Sequence, residues 1–393
     1  MARYAIVGGR LVGARRVESD RAVLVRDGRV EALPPYAEVP PGVRRIDVAG
    51  RYVSPGLVDI HAHGAAGHTF DDADATGYDA VLAGHARYGV TAMLASLASA
   101  RPADLADRLR FAAAHQARTR AGARLLGAHL EGPFLAPEQA GAHRPDLLVE
   151  PTPPLVRQLL PAGAEPAMVT LAPELPGGIA AVAAFRAAGT VVAAGHSAAD
   201  ARQLDAARSA GLSHLSHLWS GQSGLRRDGP WRVPGLVEES LASTGLTAEV
   251  IADGRHLPPA LLRIALRCLP DRLCVVSDAT AGAGLPAGSR YRLAGNDCVV
   301  ADGVGVVVGQ DAFAGSTTGL DAMVRHLHTG LDVPLPAAIG MATTVPSRVL
   351  GLPAPLSTGA PADVAVFDDD LTVRATVVGG DWRYDPYEWG ESR

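Results

Sequence analysis

An alternation repeated through the middle of this chain constrains its fold more than any other feature. Between residues 54 and 349, short apolar runs give way in turn to longer Ala-, Leu- and Arg-rich stretches of helical character. The strand candidates are 57–61, 90–95, 125–130, 168–172, 191–194, 215–219, 248–252 and 273–277, with helices expected at 103–118, 178–188, 198–209, 258–267 and 318–328. Eight such alternations predict an α/β protein, a TIM-like (β/α)8 barrel. A doubly wound open sheet is the alternative, but no Gly-x-Gly-x-x-Gly run follows any strand candidate.

The two ends of the chain read differently. Residues 4–7, 22–26 and 30–33 are brief β-prone runs, with Asp27-Gly28 as a hairpin signal before Pro34-Pro35 and Pro40-Pro41-Gly42 break the chain. Near the other end, 362–367, a turn at 368–370, and 373–378 leading into Gly379-Gly380 repeat the pattern. These pieces predict a small β-sandwich domain built from 1–53 plus 350–393 around a barrel at 54–349. A chain of 393 residues, 48% of them hydrophobic, has the length and apolar content for both cores.

Several function classes fall away on composition. A net charge of −5 gives no basic surface for nucleic acid. No stretch of about 20 apolar residues exists to span a membrane. The apolar run after Met1 and Ala2 is too short for a signal peptide, so a cytoplasmic protein is expected. Cys268, Cys274 and Cys298 are odd in number, lack a Cys-x-x-Cys spacing and read as reduced core residues. All 36 basic residues are arginine. Lysine Schiff bases, a P-loop lysine and a carboxylated-lysine metal bridge are therefore excluded.

In a (β/α)8 barrel the chemistry sits at the C-terminal ends of the strands. The first strand candidate runs into His61-Ala62-His63, whose alternate residues project to the same side and can share one ion. The third ends on Glu131 before Gly132-Pro133, a carboxylate that is costly there unless paired or metal-bound. The fifth leads to His196, the sixth carries His214 and His217, and the eighth ends at Asp278. His214 reads as a satisfied core histidine. Four histidines and two carboxylates at the ends of a parallel barrel read together as a metal site.

The order of these segments resembles the N-acetylglucosamine-6-phosphate deacetylases of the amidohydrolase superfamily. The likeness rests on Ser54-Pro55-Gly56-Leu57-Val58-Asp59, Leu130-Glu131-Gly132-Pro133-Phe134, Gly141-Ala142-His143 and Thr170-Leu171-Ala172-Pro173-Glu174. It continues through Gly195-His196-Ser197, Ile251-Ala252-Asp253-Gly254-Arg255-His256, Ser277-Asp278-Ala279 and Ala314-Gly315-Ser316-Thr317. The resemblance implies a divalent metal, Zn²⁺ first and Fe²⁺ as a substitute, held by Glu131, His196 and His217. His61 and His63 match a second-metal position, so one or two ions per subunit are implied, with Glu131 as the only available bridge. Asp278 matches the catalytic acid/base. His143 and His256 match positions near the sugar and the reacting carbonyl or phosphate, and Ala314, Gly315 and Ser316 a loop near the acyl group.

The implied reaction is hydrolysis of N-acetylglucosamine 6-phosphate to glucosamine 6-phosphate and acetate. The implied partners are this small amino sugar and a second subunit, with Arg232 reaching across a dimer interface. Where the family carries Leu-Tyr/Phe-Asn-Ala-Met, this chain has Leu218-Trp219-Ser220-Gly221-Gln222. Ser220 and Gly221 thus replace an Asn-Ala pair on the substrate phosphate. Arg232-Val233-Pro234-Gly235 keeps the family's phosphate arginine, while Arg226 and Arg227 nearby read as solvated loop charges. Another N-acetylated amino sugar is the alternative substrate, and a non-catalytic amidohydrolase-like scaffold the alternative of a different class.

Overall fold

The computed structural model describes residues 3–390. Met1 and Ala2, where a leader was not expected, and the last three residues of the expected terminal domain lie outside the described residues. Eight parallel strands form the central sheet: β1 (Leu57–Asp59), β2 (Val90–Ala98), β3 (Arg124–Glu131), β4 (Met168–Leu171), β5 (Val191–Ala194), β6 (His214–Leu215), β7 (Thr247–Val250) and β8 (Leu273–Val275). Each pairs with its neighbour in chain order. Closure comes just beyond the ends of β1 and β8. There Ala62 and Ala279 form a parallel bridge, and the N–H of Asp278 donates to the carbonyl of His61 (2.8 Å). The sheet is a closed (β/α)8 barrel.

All nine residues of β2, Val-Thr-Ala-Met-Leu-Ala-Ser-Leu-Ala, are buried. A strand covered on both faces has no reason to alternate apolar with polar residues, which is why these strands read as continuous apolar runs. Helices α1 (Ala75–Ala86), α2 (Pro102–Gln116), α3 (Pro153–Gln158), α4 (Gly178–Ala187), α5 (Ala201–Ala210), α6 (Leu236–Ala242), α7 (Pro259–Cys268) and α8 (Leu320–Arg325) follow the eight strands. In α5, Asp200 and Gln203 close a capping box, Gly211 ends the helix in the left-handed region, and Leu204 and Ala207 face inward.

Five strands stop short of their expected ends at 61, 172, 219, 252 and 277. Asp59 Oδ1 takes the N–H groups of His61 (3.3 Å) and Ser277 (3.2 Å) in place of ladder bonds. Trp219 and Asp278 adopt positive φ (69° and 45°), which turns the chain out of the sheet. The helix expected at 318–328 ends at Arg325 and runs on as a wider turn, His326–Gly330. Cys268 is exposed at the end of α7, whereas Cys274 and Cys298 are buried, so the reading of three core thiols holds for two. α7 turns its apolar face, Leu262 and Ala265, to the barrel and leaves its last residues outside.

Between β8 and α8 an antiparallel four-stranded sheet intervenes: Arg290–Leu293, Asn296–Ala301, Val304–Val307 and Phe313–Ser316. It has its own small core of Tyr291, Leu293, Cys298, Val300, Val307 and Ala314. The chain ends pair with each other: Val53 of Tyr52–Pro55 lies opposite Val366 of Val364–Phe367 in a six-stranded sheet. A four-stranded sheet around Arg3–Val7 completes the two-sheet arrangement. Ile6, Val23, Val25, Val53, Val364, Val366 and Val377 share the core between the two sheets.

Candidate metal and substrate site

Glu131, the last residue of β3, is buried and ringed by five imidazoles. Its Oε1 lies 2.8 Å from His217 Nε2, 3.2 Å from His196 Nε2 and 3.3 Å from His61 Nε2. Its Oε2 lies 3.1 Å from His143 Nε2 and 3.2 Å from His63 Nε2. Asp278, past β8, places Oδ1 3.5 Å from His63 Nε2 and 3.7 Å from His61 Nε2. Residues from the ends of β1, β3, β5, β6 and β8 therefore meet at one point. His61, His63 and Asp278 are close enough to share an ion, as are His61, Glu131 and His217, and Glu131, His143 and His196.

The other nitrogen of each ring decides what these short distances mean. His196 Nδ1 sits 2.8 Å from the carbonyl of Gln139. A carbonyl only accepts, so Nδ1 carries the hydrogen and the Nε2 lone pair faces Glu131. His61 Nδ1 is likewise held by the Glu249 carboxylate at 2.9 Å, and its buried Nε2 has no hydrogen-bond partner. Two lone pairs thus point at one carboxylate oxygen, an arrangement that is repulsive without a cation between them and favourable with one. A divalent metal fits this donor set of imidazole nitrogens and carboxylate oxygens. His143 is different. Its Nδ1 accepts from the N–H of Ser99 (3.4 Å), so its Nε2–H donates to Glu131, a role that makes no metal ligand of it.

Without a cation, protons are the only compensation. Burial opposes charge on His61, yet Glu249 and Glu131 together push its pKa well above the usual histidine value. His63 and His217 are raised in the same way, burial being outweighed by Glu131. Burial also opposes ionisation of Glu131, but His61 and His143 hold its carboxyl well below the ordinary range. For His143 burial wins and its pKa is lowered.

A cavity of about 380 Å³ opens over this cluster, of a size that suits a small ligand. Glu131, His63, His143, His196, His217, Ser220, Gly221, His256, Asp278 and Gly315 all line it. His61 is fully buried beneath. His256 Nδ1 is engaged by Asp253 (2.8 Å). Gly221 has φ +58°, and a Cβ there would lie 2.5 Å from His196 Nδ1, so only glycine lets this loop cross the ring. Ala314 and Ser316 lie buried behind the wall. The Ser316 N–H donates to the carbonyl of Asp278 (2.8 Å), so this strand fixes Asp278 from behind.

Arg232 stands apart. It belongs to an exposed hairpin of Arg226–Asp228 and Trp231–Val233, its side chain bonds among the described residues only to the carbonyl of Pro230 (2.9 Å), and it does not line the cavity. No arginine of this protomer does, among the described residues. His214 has both ring nitrogens hydrogen-bonded, to Thr247 Oγ1 (2.7 Å) and Glu249 Oε1 (3.1 Å). Sequence reasoning missed Glu249, although a lone carboxylate inside the apolar β7 was its signal. It also missed Leu293, Ala294, Asp311, Ala312 and Phe313, which line the cavity from the inserted sheet.

The amidohydrolase family model matches residues 52–383. The N-acetylgalactosamine-6-phosphate deacetylase of Escherichia coli O157:H7 is 33% identical over 366 residues, covering 92% of this chain and 94% of its own. The N-acetylglucosamine-6-phosphate deacetylase of Danio rerio is 34% identical, covering 86% of each chain. Among solved structures, a mutant N-acetyl-D-glucosamine-6-phosphate deacetylase from Mycobacterium smegmatis, in complex with N-acetyl-D-glucosamine-6-phosphate, is similar. It superposes with a TM-score of 0.88 at 34% identity over 98% of this chain and 100% of its own.

Proposed function

This chain belongs to the amidohydrolase family, and on that premise we propose that it hydrolyses N-acetylglucosamine 6-phosphate to glucosamine 6-phosphate and acetate. The observation that carries the reading is the Glu131-centred cluster beneath a sugar-sized cavity, in a chain whose relatives deacetylate N-acetylhexosamine 6-phosphates. Glu131, His196 and His217 would hold the principal ion, with His61 and His63 available to a second beside Asp278. Zn²⁺ suits these nitrogen and oxygen donors best, and Fe²⁺ suits them too. Such a cation polarises an amide carbonyl and lowers the pKa of water to roughly 7.

The chain's own groups do the rest. Asp278, at the cavity floor, takes a proton from the attacking water and returns it to the departing C2 amine, which would otherwise leave as an unstable anion. His256, braced by Asp253, presents its ring to the sugar and the developing oxyanion, while His143, with both ring nitrogens engaged by Ser99 and Glu131, offers the sugar a ring face. Gly315 brings backbone against the acetyl group, with Ala314 and Ser316 behind it. Ser220 and Gly221 offer a hydroxyl and a backbone N–H at the opposite wall.

The phosphate needs a cationic partner that the cavity of one protomer lacks. The arginine hairpin, with Trp231 73% and Leu225 59% exposed, has the apolar surface to dock on a second copy. A homodimer in which Arg232 serves the partner's cavity is the assembly we propose. A second reading follows from Ser220-Gly221 and from Asp311 in the cavity wall, since a carboxylate there suits a neutral substituent better than a phosphate. Three free thiols fit a reducing compartment, and no helix among the described residues is long and apolar enough to cross a membrane. A cytoplasmic enzyme is the proposal.

The test is acetate release from N-acetylglucosamine, N-acetylgalactosamine and their 6-phosphates by wild type and Arg232→Ala. Losing one charge-assisted arginine–phosphate contact costs about 1.5–3 kcal/mol. The phosphorylated substrates should therefore lead by roughly 10- to 100-fold in kcat/KM, and Arg232→Ala should erase most of that lead. Equal rates with and without phosphate in both proteins would favour the second reading.

A further inference from the structure

Glu249 lies on β7 with none of its surface exposed, and it does not line the cavity. A carboxylate in the wall of an apolar barrel is costly, and an apolar side chain would serve packing better. Its partners give it a purpose. Oε2 accepts from His61 Nδ1 (2.9 Å), which follows β1, and from the backbone N–H of His217 (3.1 Å), which follows β6. Oε1 is held by His214 Nε2 (3.1 Å), whose Nδ1 rests against Thr247 Oγ1 (2.7 Å). The Glu249 carbonyl takes the N–H of Leu218 (2.9 Å) as well. One residue thus grips the two strand ends that carry His61 and His217.

We propose that Glu249 is a positioning residue for the metal centre, fixing the tautomer and aim of His61 and the seat of His217 without touching substrate. This rests on the metal-ligand reading above. An ionised carboxylate only accepts, so the hydrogen of neutral His61 sits on Nδ1 and the lone pair on Nε2. That nitrogen then looks at Glu131 Oε1 (3.3 Å) and Asp278 Oδ1 (3.7 Å), where a cation is wanted. Without Glu249 nothing opposes the other tautomer, in which Nε2–H bonds Glu131 and the ring ceases to be a ligand. Residues behind metal ligands typically contribute 10- to 100-fold to metal affinity.

The test compares full-length wild type, Glu249→Gln and Glu249→Leu for metal per chain, Zn²⁺ affinity by chelator competition, and visible absorption after Co²⁺ loading. Glu249→Gln keeps the shape, so it should fold and melt near wild type while binding Zn²⁺ about 10-fold more weakly with a shifted Co²⁺ spectrum. Glu249→Leu should lose about 100-fold; if it does not fold, Glu249→Gln decides. Wild-type affinity, stoichiometry and Co²⁺ spectrum in Glu249→Gln would overturn the proposal, even with a lowered Tm, because a merely structural role moves stability alone. A wild type that binds no metal would instead overturn the ligand reading on which the proposal rests.

Discussion

Replacing Asp278 with Asn separates chemistry from architecture more cleanly than any other change in this cavity. The backbone of Asp278 is held on both sides, its N–H by the carbonyl of His61 (2.8 Å) and its carbonyl by the N–H of Ser316 (2.8 Å). Its φ of +45° is one that Asn adopts as readily as Asp. Asp278→Asn should therefore fold, bind sugar and keep its shape while losing the capacity to accept a proton. General acid–base catalysis contributes about 10²- to 10⁴-fold, or roughly 2.7–5.5 kcal/mol at 1.36 kcal/mol per decade. We expect kcat for acetate release to fall by at least about 10²-fold with KM and Tm little changed. Metal content must be read in the same samples, because Asp278 Oδ1 lies within 3.7 Å of both His61 and His63 Nε2. A fully metal-loaded variant turning over within about 10-fold of wild type would remove Asp278 from proton transfer.

Three further outcomes follow from the same geometry. Glu131→Gln removes the charge that faces five imidazoles, so metal per chain and activity should fall together, and unchanged metal content would refute its role as ligand. Gly221→Ala combines a left-handed φ with a Cβ 2.5 Å from His196 Nδ1; it should cost about 1–2 kcal/mol of stability and weaken metal binding, and a wild-type Tm with wild-type metal affinity would refute the close approach. The raised pKa values of His61, His63 and His217 mean that the metal-free protein carries protons there. Those protons stabilise the metal-free fold fully below the unfolded histidine pKa of about 6.5, and the benefit is lost as pH climbs through the raised values. Metal affinity should rise with pH over that window and binding should release protons, measurable by titration calorimetry in two buffers; an affinity flat from about pH 6 to 8 would contradict it.

The barrel was legible because its strands are buried on both faces and end on polar residues. Runs such as Val90–Ala98 announce themselves as apolar blocks, and His61, Glu131, His196, His217 and Asp278 stand out where such blocks stop. Other elements were hidden for physical reasons. α1 contains Gly77 and Gly84 and has no clean apolar stripe, so its helicity depends on the Asp74 cap and on packing by Tyr78, Val81 and Leu82. The inserted sheet carried a signal that went unread. Asp302-Gly303, both with positive φ (50° and 81°), is a hairpin pair of the same kind as Asp27-Gly28. Glu249 showed only as a lone carboxylate inside β7, because its meaning lies in His61, 188 residues away in sequence. The different tautomers of His143 and His196 depend on Ser99 and Gln139, contacts that no spacing encodes.

The role proposed for the Glu131 cluster is that of a metal centre for deacetylating an N-acetylated sugar 6-phosphate. Its most direct test is acetate release from N-acetylglucosamine 6-phosphate by one protein sample in three states: as purified, stripped with a chelator, and reloaded with Zn²⁺ to a counted number of ions per chain. Turnover should vanish on stripping and return in proportion to ions bound, saturating at one or two per chain. Turnover that survives complete stripping, or a fully loaded protein that releases no acetate from any N-acetylhexosamine or its 6-phosphate, would contradict it.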